Sequence, residues 1–474
     1  MTIAPPPIRA WAHQTEAVQF VQNLWRQGRR GAMLAMVMGA GKTKVAIDLA
    51  VALGVRLILI LCPLRVVEVW RTQFERFAPG QFIVLPLDDA AGSVREKTRL
   101  ARDMVAWSRE RNRPVVIAVN YESARTDPFA HWALANAWGL TILDESHRIK
   151  EPAGRTSRWC SKLGLRSHYR LCLTGTPMPH APIDIWGQFH FLDPSILDPT
   201  FGSFRLRYAV MGGYLGKQAI SWRDLDELYA KFRRIAFRVD ESVLDLPPEL
   251  DETLTTEMGA TGARLYREME EEMVAWIASS EAAGVPVTAA NAMVRLLRLQ
   301  QITGGSVPDE LGEDHHVDDA KEDLLVDFLE DLPEKEPVVV FALFKPDLAA
   351  IHRACLRTGR SSGELSGNQK RAGDLAEWQA GRLAVLATQI QAGNVGIDLT
   401  RARLAVYYSL GFSLANYLQS RARIRRPPQQ RPCAFYHLQV RNSVDQYVLR
   451  AVLARQDLIA SCLEELKKHV HRTD

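Results

Sequence analysis

Three short stretches of the sequence carry residue types whose spacing could do chemistry. In the first, Gly39-Ala40-Gly41-Lys42-Thr43 lies between a short apolar run and a helical pattern. Glycines let a backbone wrap a phosphate chain, and the free N–H groups at a helix start donate to it. There Lys42 would reach the β- and γ-phosphates and Thr43 would offer its hydroxyl to Mg²⁺. The full phosphate-loop pattern has a further Gly where this chain has Met36, so the match is partial. A glycine-rich turn capping a helix is the alternative. In the second stretch, LTILDESHRIK, Asp144 and Glu145 end an apolar run about a hundred residues later. One carboxylate there can hold the water shell of Mg²⁺, and its neighbour can orient or deprotonate an attacking water. The third is QSRARIRRPPQQ, starting at Gln419, with Arg421, Arg423, Arg425 and Arg426 packed together. No Asp or Glu lies between Asp398 and Asp445, so no sequence neighbour neutralises them. A solvated charge run, a nucleic-acid patch and a set of arginines aimed at one anion are the three readings.

These residues need rigid elements beneath them. Short apolar, β-branched runs start at Arg56, Pro114, Leu140 and Tyr169, and again at Pro337, Arg382, Arg403 and Cys433. Continuous apolar strands alternating with helical patterns predict buried parallel sheets, hence an α/β fold with two sheet domains. Between them, Leu265, Tyr266, Met269, Met273 and Trp276 recur at helical spacing, and AANAMVRLLRLQQI reads as a second helix. The paired prolines of DLPPEL, from Asp245, mark a boundary. The expected division is a first domain over 1–245, a helical connector over 246–320 and a second domain over 321–474. GGSVPDELGEDHHVDD, from Gly304, reads as a polar loop; His315 and His316 beside acids could take a metal, but a solvated loop is the expectation.

Bulk composition narrows the class. At 474 residues, two or three domains are expected. A net charge of +4 permits a nucleic-acid partner without demanding one. Only 13 of the 59 basic residues are Lys, and Arg is the better bidentate phosphate ligand. The six cysteines show no CxxC pair, which argues against a disulfide framework or a zinc site. MTIAPPPIRAW lacks the pattern of a signal peptide, and the longest apolar run carries Arg56 inside it. No membrane partner is expected, and the location read from this is cytoplasmic, or host cytoplasm for a viral chain. Trp11 and Trp70 lie near the motifs, but most Trp residues are core or rim packing and these two are assigned no role.

The motifs, in order, resemble the superfamily 2 helicase-like ATPases, and in detail the Swi/Snf-type DNA translocases, in a small bacterial or phage version. HQTEAVQF resembles the adenine-reading glutamine motif, with Gln14 as the glutamine. LAMVMGAGKT resembles LADEMGLGKT, and DESHRIK resembles DEAHRIK with Ser146 for alanine. LTGTPMPHAPIDIWGQFHFLDP resembles the family's GTP motif and the helix that follows it. QAGNVGIDLTRA resembles AGGxGxNL, with Asp398 for Asn. QSRARIRRPPQQ resembles QxxxRxHRxGQ, with Gln419, Arg423, Arg426 and Gln429 in register, Arg425 for His and Pro428 for Gly.

The resemblance implies two RecA-like lobes with an ATP cleft between them. It implies ATP and Mg²⁺ as cofactors. Gln14, Gly39, Ala40, Gly41, Lys42, Thr43, Gly396 and Asp398 would bind the nucleotide. Thr43 and Asp144 would hold the metal, and Glu145, Arg423 and Arg426 would be catalytic. Thr174, Gly175, Thr176 and Gln419 would couple the ATP site to the nucleic-acid track. Arg421 and Arg425 are left between salt bridges within the lobe and that track. Candidate contacts to nucleic acid are Pro63-Leu64-Arg65, Asn120-Tyr121, Thr388 and Asn394. The implied activity is ATP-driven movement on DNA, with duplex favoured over single strand. A strand-separating DNA or RNA helicase and the motor subunit of a restriction or defence complex are the alternatives.

Overall fold

In a computed structural model of the protein, the described residues are 10–178, 181–212, 218–244, 246–282, 289–309, 312–367, 373–393 and 397–453. The chain divides into two compact units, Met1–Leu244 and Asp245–Asp474, so the break falls at the DLPPEL stretch.

The first unit is built on a seven-stranded sheet. Its strands are β1 (Gly31–Met36), β2 (Leu57–Cys62), β3 (Ile83–Leu87), β4 (Val115–Asn120), β5 (Trp138–Asp144), β6 (Ser167–Thr174) and, after a hairpin of β7 (Ala209–Gly212) and β8 (Gln218–Trp222), β9 (Ala236–Val239). The order across the sheet is β3-β4-β2-β5-β6-β1-β9, and every pairing within it is parallel. All six residues of β1 and of β4 are buried. Helices covering both faces leave such strands no polar side, which is why they read as unbroken apolar runs.

The second unit has a six-stranded parallel sheet. Its strands are β10 (Glu249–Thr256) and, after a small hairpin of β11 (Ser306–Pro308) and β12 (Asp314–His316), β13 (Val338–Ala342), β14 (Ser362–Leu365), β15 (Val385–Gln389), β16 (Leu404–Tyr407) and β17 (Cys433–Val440). The order is β10-β17-β16-β13-β15-β14.

The helical segment between the two sheets in sequence packs on the second. Helix Ala260–Ala282 buries Tyr266, Met273 and Ile277, and helix Ala289–Thr303 buries Leu296, Leu299 and Ile302, against Phe341, Trp378 and Tyr417. Each such side chain removed from water contributes about 1.5–3 kcal/mol, enough to fix both helices to this sheet. The Tyr266 hydroxyl also accepts from the Val444 N–H at 2.7 Å. The polar loop expected after Gly304 is in part the hairpin of β11 and β12, and its histidines pair with acids at its surface. His315 lies 2.8 Å from Asp309, and His316 2.9 Å from Asp319. Among the described residues, no helix is long and apolar enough to cross a membrane.

Candidate active site

Parallel strands deliver their carboxyl ends to one edge, where α/β folds place their chemistry. In the first sheet β6 lies between β1 and β5, with Ala35 opposite Thr174 and Asp144 opposite Leu173. The phosphate loop, the Thr174-Gly175-Thr176 turn and the Asp144-Glu145 pair therefore leave the sheet side by side.

The loop after β1 is shaped by glycines at positive φ, +85° at Gly39 and +81° at Gly41. Gly41 caps helix Lys42–Leu53, so the first N–H groups of that helix open toward the loop. The positive φ favours glycine here, and a Cβ on Gly41, 2.2 Å from Gln14 Nε2, would also push that amide aside. Gln14 is buried in helix Ala12–Arg26. Its Oε1 accepts from the Trp11 N–H at 3.1 Å, capping its own helix, and its Nε2 donates to the Ala40 carbonyl at 3.2 Å. His13 Nε2 lies 2.9 Å from the same carbonyl. Lys42 Nζ donates to the carbonyls of Met36 at 2.8 Å and Val37 at 3.3 Å. Gly175 approaches the same place: a Cβ there would lie 3.6 Å from the Met36 carbonyl oxygen and 3.8 Å from Lys42 Nζ.

Asp144 ends β5 buried. Its Oδ2 accepts from Trp70 Nε1 at 3.2 Å and its Oδ1 from the Glu145 N–H at 3.0 Å, while the Tyr121 hydroxyl donates to its carbonyl at 2.8 Å. Burial, then the Glu145 carboxylate, push the Asp144 carboxyl well above the usual range, against the opposing Lys42 charge and Trp70 N–H. A carboxylate whose charge burial penalises gains from a cation beside it. With the Thr43 hydroxyl at the start of the neighbouring helix, the donor set is all oxygen, as Mg²⁺ requires, and phosphate oxygens and water can complete it. These residues fit the metal.

Glu145 itself has φ 51°, ψ 52°. A non-glycine residue there costs on the order of 1 kcal/mol, and such outliers concentrate at functional positions. Its Oε2 lies 3.4 Å from His147 Nδ1, which lies 3.3 Å from Thr174 Oγ1. Thr174 Oγ1 also accepts from the Thr176 N–H at 3.1 Å. A polar chain thus runs from Glu145 to the turn that follows β6. Ser146, the departure from DEAH, is buried and donates to Gln188 Oε1 at 2.8 Å, and Gln188 Nε2 donates to the Pro177 carbonyl at 2.7 Å. The hydroxyl that replaces a methyl here ties the same two segments together.

The second unit carries the arginines at the end of helix Leu414–Ile424. Arg421 and Arg425 do meet acids, from β10. Arg421 makes a two-pronged ion pair with Asp251, reaches Glu249 at 3.0 Å and lies 3.9 Å over the Phe435 ring. Arg425 donates to the Pro247 carbonyl at 2.8 Å and lies 3.6 Å from Glu249. Burial raises the Asp251 carboxyl, but the Arg421 hydrogen bond and charge outweigh it and hold the group below its ordinary value. The salt-bridge reading describes these two residues. Arg423 is buried, and its carbonyl accepts from the Leu399 N–H at 3.1 Å. Arg426 Nε is buried with no hydrogen-bond partner among the described residues. A buried guanidinium N–H left without an acceptor fits an anionic ligand. Gln429 Nε2 donates to the carbonyls of Thr400 and Ala402, at 2.9 and 2.8 Å, joining this stretch to the Asp398 loop. Asp398 is exposed and accepts from the Thr400 N–H at 2.9 Å. Gln419 is half-buried in the arginine helix. Gly396 and Asn394 lie outside the described residues.

Of the other candidate contacts, Pro63-Leu64-Arg65 follow β2 half-buried, whereas Asn120, Tyr121 and Thr388 are buried. Tyr121 serves the Asp144 backbone instead. His13, Trp70, His147 and Gln188 were not singled out as site residues by motif spacing. His13 and His147 adjoin motif residues in sequence, which was the available signal; nothing in the sequence marks Gln188.

Residues 13–304 match the SNF2-related domain, and residues 320–427 match the helicase conserved C-terminal domain. The chain belongs to the SNF2-related family. The SNF2-related chain is 24% identical over 476 residues to Chromodomain-helicase-DNA-binding protein 1-like of Mus musculus, covering 96% of this chain and 50% of the relative. It is 22% identical over 465 residues to the uncharacterized ATP-dependent helicase MG018 of Mycoplasma genitalium, covering 96% and 42%. It thus spans half or less of these relatives' length. Among solved structures it is similar to the Sulfolobus solfataricus SWI2/SNF2 ATPase core in complex with dsDNA, at 20% identity and a TM-score of 0.43, covering 99% of each chain.

Proposed function

We propose that this SNF2-related chain is a Mg-ATP-driven motor that moves on duplex DNA. The observation that carries the reading is the meeting of Lys42, Gly175, Asp144 and Glu145 at one sheet edge, with the Glu145–His147–Thr174 chain leading away from it. In this reading Gly39, Ala40 and Gly41 wrap the phosphates, and Lys42 leaves the loop carbonyls for the terminal phosphates. Thr43 and Asp144 would hold Mg²⁺, which would supply positive charge to offset that of the phosphates. Glu145 takes a proton from the water whose oxygen attacks the γ-phosphorus, as the bond to the bridging oxygen breaks and ADP leaves. Arg423 and Arg426 add positive charge to that transition state. Gln14 serves the adenine, and Gly396 and Asp398 complete nucleotide binding. Thr174, Gly175, Thr176 and Gln419 pass the state of the nucleotide to the nucleic-acid track. A DNA track is supported by the family and by the printed name of the murine relative, a DNA-binding helicase.

The test is steady-state ATP hydrolysis with Mg²⁺, alone and with duplex DNA, single-stranded DNA or RNA. Duplex DNA is expected to raise the rate most. Stimulation confined to single strands or RNA would replace the duplex reading with a strand-separating helicase.

A further inference from the structure

Trp70 is fully buried in helix Val67–Phe77, where its ring packs 6.1 Å from Phe74. A packing role accounts for the ring and leaves the direction of its N–H open. An indole nitrogen is a donor only, and burying one without an acceptor costs free energy. Here it chooses the side chain of Asp144, at 3.2 Å from Oδ2. The other oxygen, Oδ1, is taken by the Glu145 N–H at 3.0 Å. Two donors, one from a packed ring and one from the backbone, thus fix both the plane and the rotation of the carboxylate. Each oxygen keeps a lone pair for a further partner. The Tyr121 hydroxyl, 2.8 Å from the Asp144 carbonyl, fixes the backbone beneath it.

We propose that Trp70 is a positioning residue for the metal site, its indole N–H aiming the Asp144 carboxylate so that one oxygen meets Mg²⁺. The inference rests on the reading of Asp144 as a metal ligand. Groups that orient a ligand from behind are commonly worth about ten-fold or more in metal affinity. Trp70→Phe keeps a ring in the pocket and removes the N–H.

The test compares the affinity of the whole chain for a fluorescent ADP analogue in excess Mg²⁺ and in EDTA. The ratio of the two affinities is the gain contributed by the metal. For Trp70→Phe this gain is expected to fall by about ten-fold with the EDTA affinity unchanged. In an Asp144→Asn background, adding Trp70→Phe should cause no further loss, because the residue acts through that carboxylate. Trp70→Met, also without an N–H, replaces Trp70→Phe if the latter does not fold. An undiminished gain overturns the proposal. So does an equal loss in Mg²⁺ and in EDTA together with a lowered Tm, which is the signature of packing alone. A wild-type chain with no gain from Mg²⁺ would instead overturn the metal reading itself, and this inference with it.

Discussion

Glu145→Gln is expected to lower ATP turnover by about 10³-fold, within the range that removal of a positioned general base costs. The amide keeps the size of the side chain and one acceptor oxygen, so it can still face His147, but it cannot take up a proton at neutral pH. Nucleotide affinity should change by about two-fold or less, because the loss belongs to the transition state and not to the ground state. Turnover and binding of a fluorescent ADP analogue, measured on the same preparation, separate the two. The geometry sharpens the expectation. Glu145 sits at positive φ, and its backbone N–H holds Asp144 Oδ1. The substitution leaves that backbone contact intact, so Asp144 and its metal should be undisturbed. A parallel loss of nucleotide affinity would mean that Glu145 serves binding and that the proton goes elsewhere.

Arg426→Ala is expected to lower kcat by about 10³-fold with the KM for ATP little changed, as for an arginine that meets charge only in the transition state. Arg423→Ala should behave alike. Arg421→Ala makes the contrast. Its guanidinium is spent on Asp251, Glu249 and the Phe435 ring, so its loss strands two exposed carboxylates and opens a space over an aromatic face. The expected cost is about 2 kcal/mol, reduced from the fully buried case by the partial exposure of both acids. In a unit of this size that is about 4–8 °C in Tm. Turnover per folded molecule should survive. Thermal melts beside kcat on the three variants check this division. If Arg421→Ala lost turnover while keeping its Tm, the division between structural and catalytic arginines would be misdrawn.

What the sequence concealed has one physical cause. The eight apolar runs are strands in the structure, and all eight lie at interior positions of the two sheets. Of the strands at the edges, β9 in the first sheet and β10 and β14 in the second carry no such signal. β3 contains Pro86, tolerable where one side has no neighbour. β10, ELDETLTT, is exposed over its first five residues and reads as a polar connector. Missing β10 also hid the partners of the arginine run. Glu249 and Asp251 are remote in sequence from Arg421 and meet it only because β10 pairs with β17. Hence the run looked uncompensated.

The phosphate loop and the carboxylate pair were legible because each is a local pattern. Contacts made across the sheet edge were not. Nothing in the spacing of Trp70 to Asp144, or of Ser146 to Gln188, announces a hydrogen bond. Such pairs appear only once strand order is known. The expected loop around His315 and His316 failed for a smaller reason, since three-residue strands fall below any usable periodicity.

The central claim, movement along duplex DNA driven by hydrolysis, is tested most directly by displacement of a third strand from a DNA triplex. The wild-type chain with Mg-ATP is expected to strip the third strand while the underlying duplex stays paired, and Glu145→Gln is expected to strip none. Separation of the duplex strands themselves, or DNA-stimulated hydrolysis without any displacement, would contradict it.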